Sequence, residues 1–382
     1  MKEIYLYQNM VCPHESDWVR ALAARSDVIF TWVVDEEVLP FRQKMGVSRP
    51  DCGAATVIVT TDQACIRSIV LDSDPYATHI VQGPRGGVCS RVAWRQCLDA
   101  GRNVGLFSEP GDHRGLKGKL RRLLYATEFL RWGRRLQFVL ATGQMGIDWY
   151  AGCGYSSSRL FPFCYVTQPA TSDPVTYAAT HQIFRIVYCG QLIARKKVDT
   201  LFKALAQLKG RDWSCSIVGD GPMLKPLRQL SITLGIADRI EWVGILPNAE
   251  VQIVLGACDL LVLPSLFDGW GAVVNEALTV GTPVVCSRAC GAAELLIDNW
   301  RGCSVRPGSP IELSTAIAVR MDAGRLTSTQ RERIREWSQD NIAGEPVADY
   351  FLRLMDHVYR FGPRPAAPWR KPAHEISRTV TA

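Results

Sequence analysis

Histidine is scarce in this chain, six in 382 residues, and its thirteen cysteines include no C-x-x-C pair. The nearest two, Cys286 and Cys290, lack a second pair or a nearby histidine, so no zinc site can be drawn from the spacing. Scattered singly from Cys12 to Cys303, the thiols read as reduced and mostly buried, as in a cytosolic protein. Long apolar runs are also missing: nothing approaches the ~18 residues that span a bilayer. The start, "MKEIYLYQNM", is a charged and then alternating strand rather than a signal peptide. Any membrane is therefore met peripherally, from the cytosolic side. No G-x-G-x-x-G follows a strand, which argues against a dehydrogenase. The net charge of +7 is too small to announce a nucleic-acid binder. The one D-x-D, Asp72-Ser73-Asp74, stands before Pro75, where aspartates make turns, so no metal is expected.

What is present is apolar pattern, 47% of the chain, enough for two domains with their own cores. In the first half "IYLY", "VIFTWVV", "ATVIVTT", "ATHIVQG" and "NVGLFSE" read as strands, with helical stretches such as 16–24 and 88–99 among them. Such alternation predicts a mostly parallel sheet wrapped by helices. Residues rich in Thr, Pro and Ser then predict a linker over 167–180. The pattern restarts with the strands "FRIVYCG", "SCSIVGDG", "IEWVG", "DLLVLPS" and "PVVCS", separated by helical segments. The expected organisation is one Rossmann-like α/β domain over 1–166 and a second over 181–335. A terminal helix over 336–360 and a disordered tail over 361–382 follow.

In open α/β sheets ligands bind outside the carboxyl ends of strands, and three turns of the second domain stand out there. In "CGQLIARKK", 189–197, a strand ends at Gly190 and the cations Arg195, Lys196 and Lys197 follow. Cations at a helix N-terminus oppose its dipole, so either a bound anion or simple solvation explains them. "VGDGP", 218–222, is a strand followed by a two-glycine turn, with or without a ligand. The third, "LPSLFDGWGAVVNEALTVGTPVV", carries Asp268 and Glu276 with seven residues between them. Glu276 lies among apolar helical neighbours, so it needs either a salt bridge from a neighbouring element or ligand hydroxyls.

This series, with "SIVGDGPMLKPL" and "IEWVGILPNAEV" between, resembles over roughly 183–305 the C-terminal domain of retaining glycosyltransferases of family four (glycosyl transferases group 1). The paired acids match that family's Glu, seven residues, Glu motif, with Asp268 in the first place. The resemblance implies the GT-B fold, two Rossmann-like doubly wound domains facing a cleft, with acceptor in the first and nucleotide-sugar donor in the second. It implies that Arg195 and Lys196 hold the donor diphosphate, Glu276 the ribose hydroxyls and Asp268 the transferred sugar. The amides of Gly269, Trp270 and Gly271 would face sugar and phosphate, while Gly190, Gly219, Val243 and Gly244 would border the nucleotide. Neither metal nor cofactor is implied. Gln191 stands where many members have Arg, removing one potential phosphate contact.

The N-terminal half resembles the family less, its first loop being "QNMVCPHES" with His14 and no glycine pair. Glu109 and His113, after the strand 103–108, are candidate acceptor-side catalytic residues alongside Asp268 and Glu276. His14 and Arg85 are candidate acceptor contacts. Residues 114–135 interleave Arg114, Lys117, Lys119, Arg121, Arg122, Arg131, Arg134 and Arg135 with Leu, Tyr, Phe and Trp. They form either a solvated helix face or a surface for anionic lipid. The expected function is transfer of a sugar, with retention, to a glycan or lipid-linked acceptor of a surface polysaccharide, by a cytoplasmic or peripheral inner-membrane protein. The alternatives are a nucleotide-sugar epimerase and a nucleotide-sugar-binding protein without transferase activity.

Overall fold

Short β-branched and aromatic runs, each followed by an amphipathic stretch, fold into two parallel sheets wrapped by helices. The computed structural model describes residues 1–168 and 183–370. One unit comprises 1–168 with 343–368, and the other 169–342 with the chain from Trp369 on. From residue 169 the expected linker lies outside the described residues, as does the tail from 371.

The first unit holds strands β1 (Lys2–Met10), β2 (Val28–Glu36), β3 (Thr56–Val59), β4 (Thr78–Val81), β5 (Asn103–Ser108), β6 (Phe138–Thr142) and β7 (Leu160–Phe163). They run parallel in the order β3-β2-β1-β4-β5-β6-β7, so the winding reverses between β1 and β4. β6 and β7 are strands that the sequence pattern does not predict. β7 contains Pro162, a residue that argues against a strand except at a sheet edge, and β7 is the edge.

The terminal helix, expected over 336–360, starts at Gly344, and a separate helix precedes it. Ser328–Ile342 belongs to the second unit and Gly344–Arg360 to the first. At the break, Gly344 N–H donates to Asp17 Oδ2 at 2.8 Å, and a Cβ on Gly344 would lie 2.4 Å from the Asp17 carbonyl oxygen. Only glycine lets this helix start against the helix Ser16–Ala23. The tail, expected to be disordered from residue 361, is packed through Arg370. Arg364 donates to the carbonyls of Ser158 and Leu160 and lies 4.3 Å over the Phe161 ring, and Trp369 is fully buried. A few strong side-chain contacts override a composition that looks loose.

The second unit holds β8 (Phe184–Cys189), β9 (Trp213–Val218), β10 (Ile240–Gly244), β11 (Leu260–Leu263), β12 (Val284–Ser287) and β13 (Gly302–Val305). The parallel order β10-β9-β8-β11-β12-β13 reverses between β8 and β11. The carboxyl ends of those two strands are therefore where a ligand is expected.

Candidate functional site

At the end of β8, backbone approaches backbone too closely for side chains. A Cβ on Gly219, φ +130°, would lie 2.1 Å from the Gly190 carbonyl oxygen, and Gly219 N–H donates to the Gly244 carbonyl at 2.7 Å. The ends of β8, β9 and β10 are thus drawn together by glycine.

Arg195 and Lys196 sit in a short 3-10 turn, Ala194–Lys196, before the helix Val198–Ala206. Lys197, the third cation of the motif, adopts the left-handed conformation at φ 54° and pairs with Asp199 at 2.9 Å, so it is neutralised locally. The other two meet the acidic loop. Arg195 donates to the Phe267 carbonyl at 2.6 Å and lies 3.8 Å from Asp268 Oδ1, while Lys196 pairs directly with Asp268 Oδ2. The Tyr188 hydroxyl donates to the Gln191 main-chain carbonyl at 2.9 Å.

The two carboxylates differ in company. Both residues are 8% exposed, but Asp268 is held by cations, whereas burial is the one influence on Glu276 and lifts it to about 7. The helix that carries Glu276, Val273–Thr279, starts two residues after Gly271. Glu276 therefore lies in its first turn. Gly271 turns at φ +92°, and a Cβ there would meet Cys290 Sγ at 2.5 Å. The Trp270 indole is fully buried and donates to Asn275 Oδ1 at 2.7 Å, bracing the loop rather than facing solvent. Val243 lies in β10, one residue before Gly244.

In the first unit the structure joins two of the acceptor-side candidates through a residue that sequence reasoning missed. The Tyr165 hydroxyl donates to Glu109 Oε1 at 2.8 Å, and its ring stacks on His14 with centroids 5.8 Å apart. Burial, reinforced by Arg42, lowers His14 to about 4. Next to it Glu15 is 3% exposed and accepts from Gln8 Nε2 at 2.5 Å, while Trp32 fixes that amide by donating to Gln8 Oε1 at 2.9 Å. Burial raises Glu15 to about 8; the bond from Gln8 opposes the rise and nearby Glu109 adds to it. Glu15, beside a histidine in a strand-end loop, had a positional signal that the reading passed over; Tyr165 had none. His113 is exposed ahead of the helix Gly115–Trp132. Arg85 pairs with Glu128 of that helix and lies 3.9 Å over the Tyr125 ring.

That helix turns Gly118, Tyr125 and Phe129 inward, while Leu116, Leu120, Leu123, Leu124 and Leu130 are all at least half exposed. Of the eight cations around it, Arg114 pairs with Asp112, Arg121 donates to the Asp112 carbonyl, Arg135 donates to the Leu98 carbonyl, Arg122 hydrogen-bonds Cys153 and Arg131 lies 4.7 Å over the Trp132 ring. Among the described residues no helix is long and apolar enough to cross a membrane.

Residues 178–337 match the family model of glycosyl transferases group 1. The alpha-D-kanosaminyltransferase of Streptomyces kanamyceticus is 31% identical over 169 residues, covering 44% of this chain and 42% of that protein. A GDP-mannose-dependent alpha-(1-6)-phosphatidylinositol monomannoside mannosyltransferase of Mycolicibacterium smegmatis is 30% identical over 166 residues, 41% and 43% of the two chains. The chain thus spans less than half the length of either relative. A wider likeness is structural: Anabaena HepE in complex with UDP superposes with a TM-score of 0.72 at 18% identity, covering 93% of this chain and 100% of that one. The fold is GT-B, with two Rossmann-like domains.

Proposed function

We propose that this protein is a glycosyltransferase that moves a sugar from a nucleotide-sugar donor to an acceptor hydroxyl with retention of configuration. The observation that carries the reading is Glu276, a buried carboxyl that no cation or hydrogen bond offsets among the described residues, in the first turn of the helix that follows the loop carrying Asp268, the partner of Lys196. Vicinal ribose hydroxyls donate in pairs and would satisfy it. In this reading Lys196 and Arg195 stabilise the diphosphate as it leaves, and Asp268 orients the transferred sugar and holds Lys196. Charge that grows on the leaving oxygen meets cations already in place. The acceptor oxygen bonds to the anomeric carbon on the leaving group's face as the bond to phosphate breaks, and a phosphate oxygen takes the acceptor's proton. No metal is assigned a part.

On the acceptor side we assign His14, Glu109 and Tyr165 to one contact surface, with His113 and Arg85 as further contacts. The acceptor is a lipid-linked intermediate of a surface glycan, met at the inner face of the cell membrane. The exposed leucines support this, because apolar side chains flanked by Lys117, Lys119, Arg122 and Arg131 match an anionic bilayer surface.

Calorimetric titration with UDP-glucose and GDP-mannose tests the donor reading: one should bind to wild type and lose about a hundredfold in Glu276→Ala. A folded wild type that binds neither overturns it. Flotation with anionic vesicles tests the membrane: wild type should float at low salt and Leu120→Glu/Leu123→Glu should not.

A further inference from the structure

The segment Gly291–Leu296, a 3-10 helix, is fastened at both ends. At its start Gly291 N–H donates to the Asp268 carbonyl at 3.1 Å, Ala292 N–H to the Trp270 carbonyl at 2.8 Å and Cys290 Sγ to the same carbonyl at 2.8 Å. A Cβ on Gly291 would lie 2.4 Å from the Gly269 carbonyl oxygen, so the two backbones are in direct contact. Any displacement of 291–292 moves 268–270 with it, because close-packed backbones have no slack to absorb a shift.

One turn further, Glu294 is gripped from the end of the described chain. The fully buried Trp369 indole donates to Glu294 Oε1 at 2.5 Å, and Arg370 Nη2 donates to Oε2 at 2.8 Å. Both carboxylate oxygens are thus held by donors more than seventy residues away. Two charge-assisted bonds on one carboxylate fix its direction as well as its position.

We propose that Trp369 and Arg370 clamp Glu294 to position the loop 268–271, and with it the Asp268–Lys196 pair, for the phosphates and sugar of the donor. The three are positioning residues, and the proposal rests on the donor reading above. Because the clamp acts on the loop and not on the ends of β9 and β10, it governs binding of the diphosphate and sugar while leaving the nucleoside moiety largely untouched.

The test uses the full chain and the variants Trp369→Phe, which keeps a ring but loses the N–H, Arg370→Ala, Arg370→Lys and Glu294→Gln. Affinity for UMP, UDP and UDP-glucose, and for GMP, GDP and GDP-mannose, is measured by calorimetry beside thermal melting of each protein. Arg370→Ala and Glu294→Gln should bind the diphosphate and sugar nucleotide roughly tenfold more weakly and the monophosphate within about twofold of wild type. Arg370→Lys should recover most of the loss. Equal weakening toward all three ligands, or none, overturns the clamp while leaving the donor site standing. A wild type that binds neither series overturns the donor reading and the clamp together. Should Trp369→Phe fail to fold, the Arg370 and Glu294 variants still decide the outcome.

Discussion

A carboxyl group without a partner is a liability to the fold, and Glu276 shows how that liability can be measured. Below pH 4.5 it is protonated in both states. As pH rises from 4.5 to about 7 the unfolded chain ionises while the folded carboxyl resists, so stability is lost across that window and the loss levels off above it. The shift corresponds to about 3 kcal/mol at most. Glu276→Gln should therefore melt higher than wild type, with a gap that is absent at pH 4, opens up to pH 7 and then stays constant. The same variant should bind the nucleotide sugar more weakly. A gap independent of pH would assign Glu276 an unrecognised partner. Glu15→Gln should behave alike with the window extending to about pH 8, Gln8 being able to donate to the new amide oxygen. At Lys196 the sign reverses: Lys196→Ala leaves the buried Asp268 with Arg195 at 3.8 Å and the Ser265 hydroxyl at 3.4 Å and should cost roughly 2–4 kcal/mol, read as a lowered denaturation midpoint at constant slope.

Elements transmit these residue effects in different ways. The loop between β11 and the helix Val273–Thr279 turns on Gly271, and Gly271→Ala would combine an unfavourable φ with a clash against Cys290 Sγ. It should lose roughly 1–3 kcal/mol of stability and weaken donor binding together, checked by melting and calorimetry on one preparation. The helix Gly115–Trp132 divides instead into a packed face and an exposed one. Substituting its exposed leucines should leave stability within about 0.5 kcal/mol, because each is more than half exposed, while abolishing vesicle flotation. A large drop in stability would show instead that the stripe is covered by protein.

Across the whole molecule, nucleotide binding should register mainly in the second unit. Hydrogen exchange with UDP or GDP should slow at 190–197, 219–221 and 266–276, the carboxyl-end loops of its sheet, while β1 to β7 keep their rates; protection centred on the first sheet would misplace the donor. Much of this unit was legible in the chain itself. Strand-and-helix alternation and glycines at strand ends are local, so β8 to β12 and the positions of Arg195, Lys196, Asp268 and Glu276 could be read off the sequence. β13 escaped because "GCSV" offers neither alternation nor a long apolar run. The first unit was less readable: β7 carries a proline tolerated only at an edge, and Tyr165 reaches Glu109 across 56 positions. Desolvation, which sets the protonation of Glu15 and Glu276, belongs to the surroundings of a side chain and not to its neighbours in sequence. The sequence by itself determined the two α/β domains and the order of the strand-end motifs, because periodicity and turn chemistry act within a few residues. Only the tertiary structure decided that Lys196 faces Asp268, that Trp369 and Arg370 grip Glu294, and that residues 361–370 pack against the fold. Each of these is a contact between distant residues whose energy exists only once water has been excluded around it.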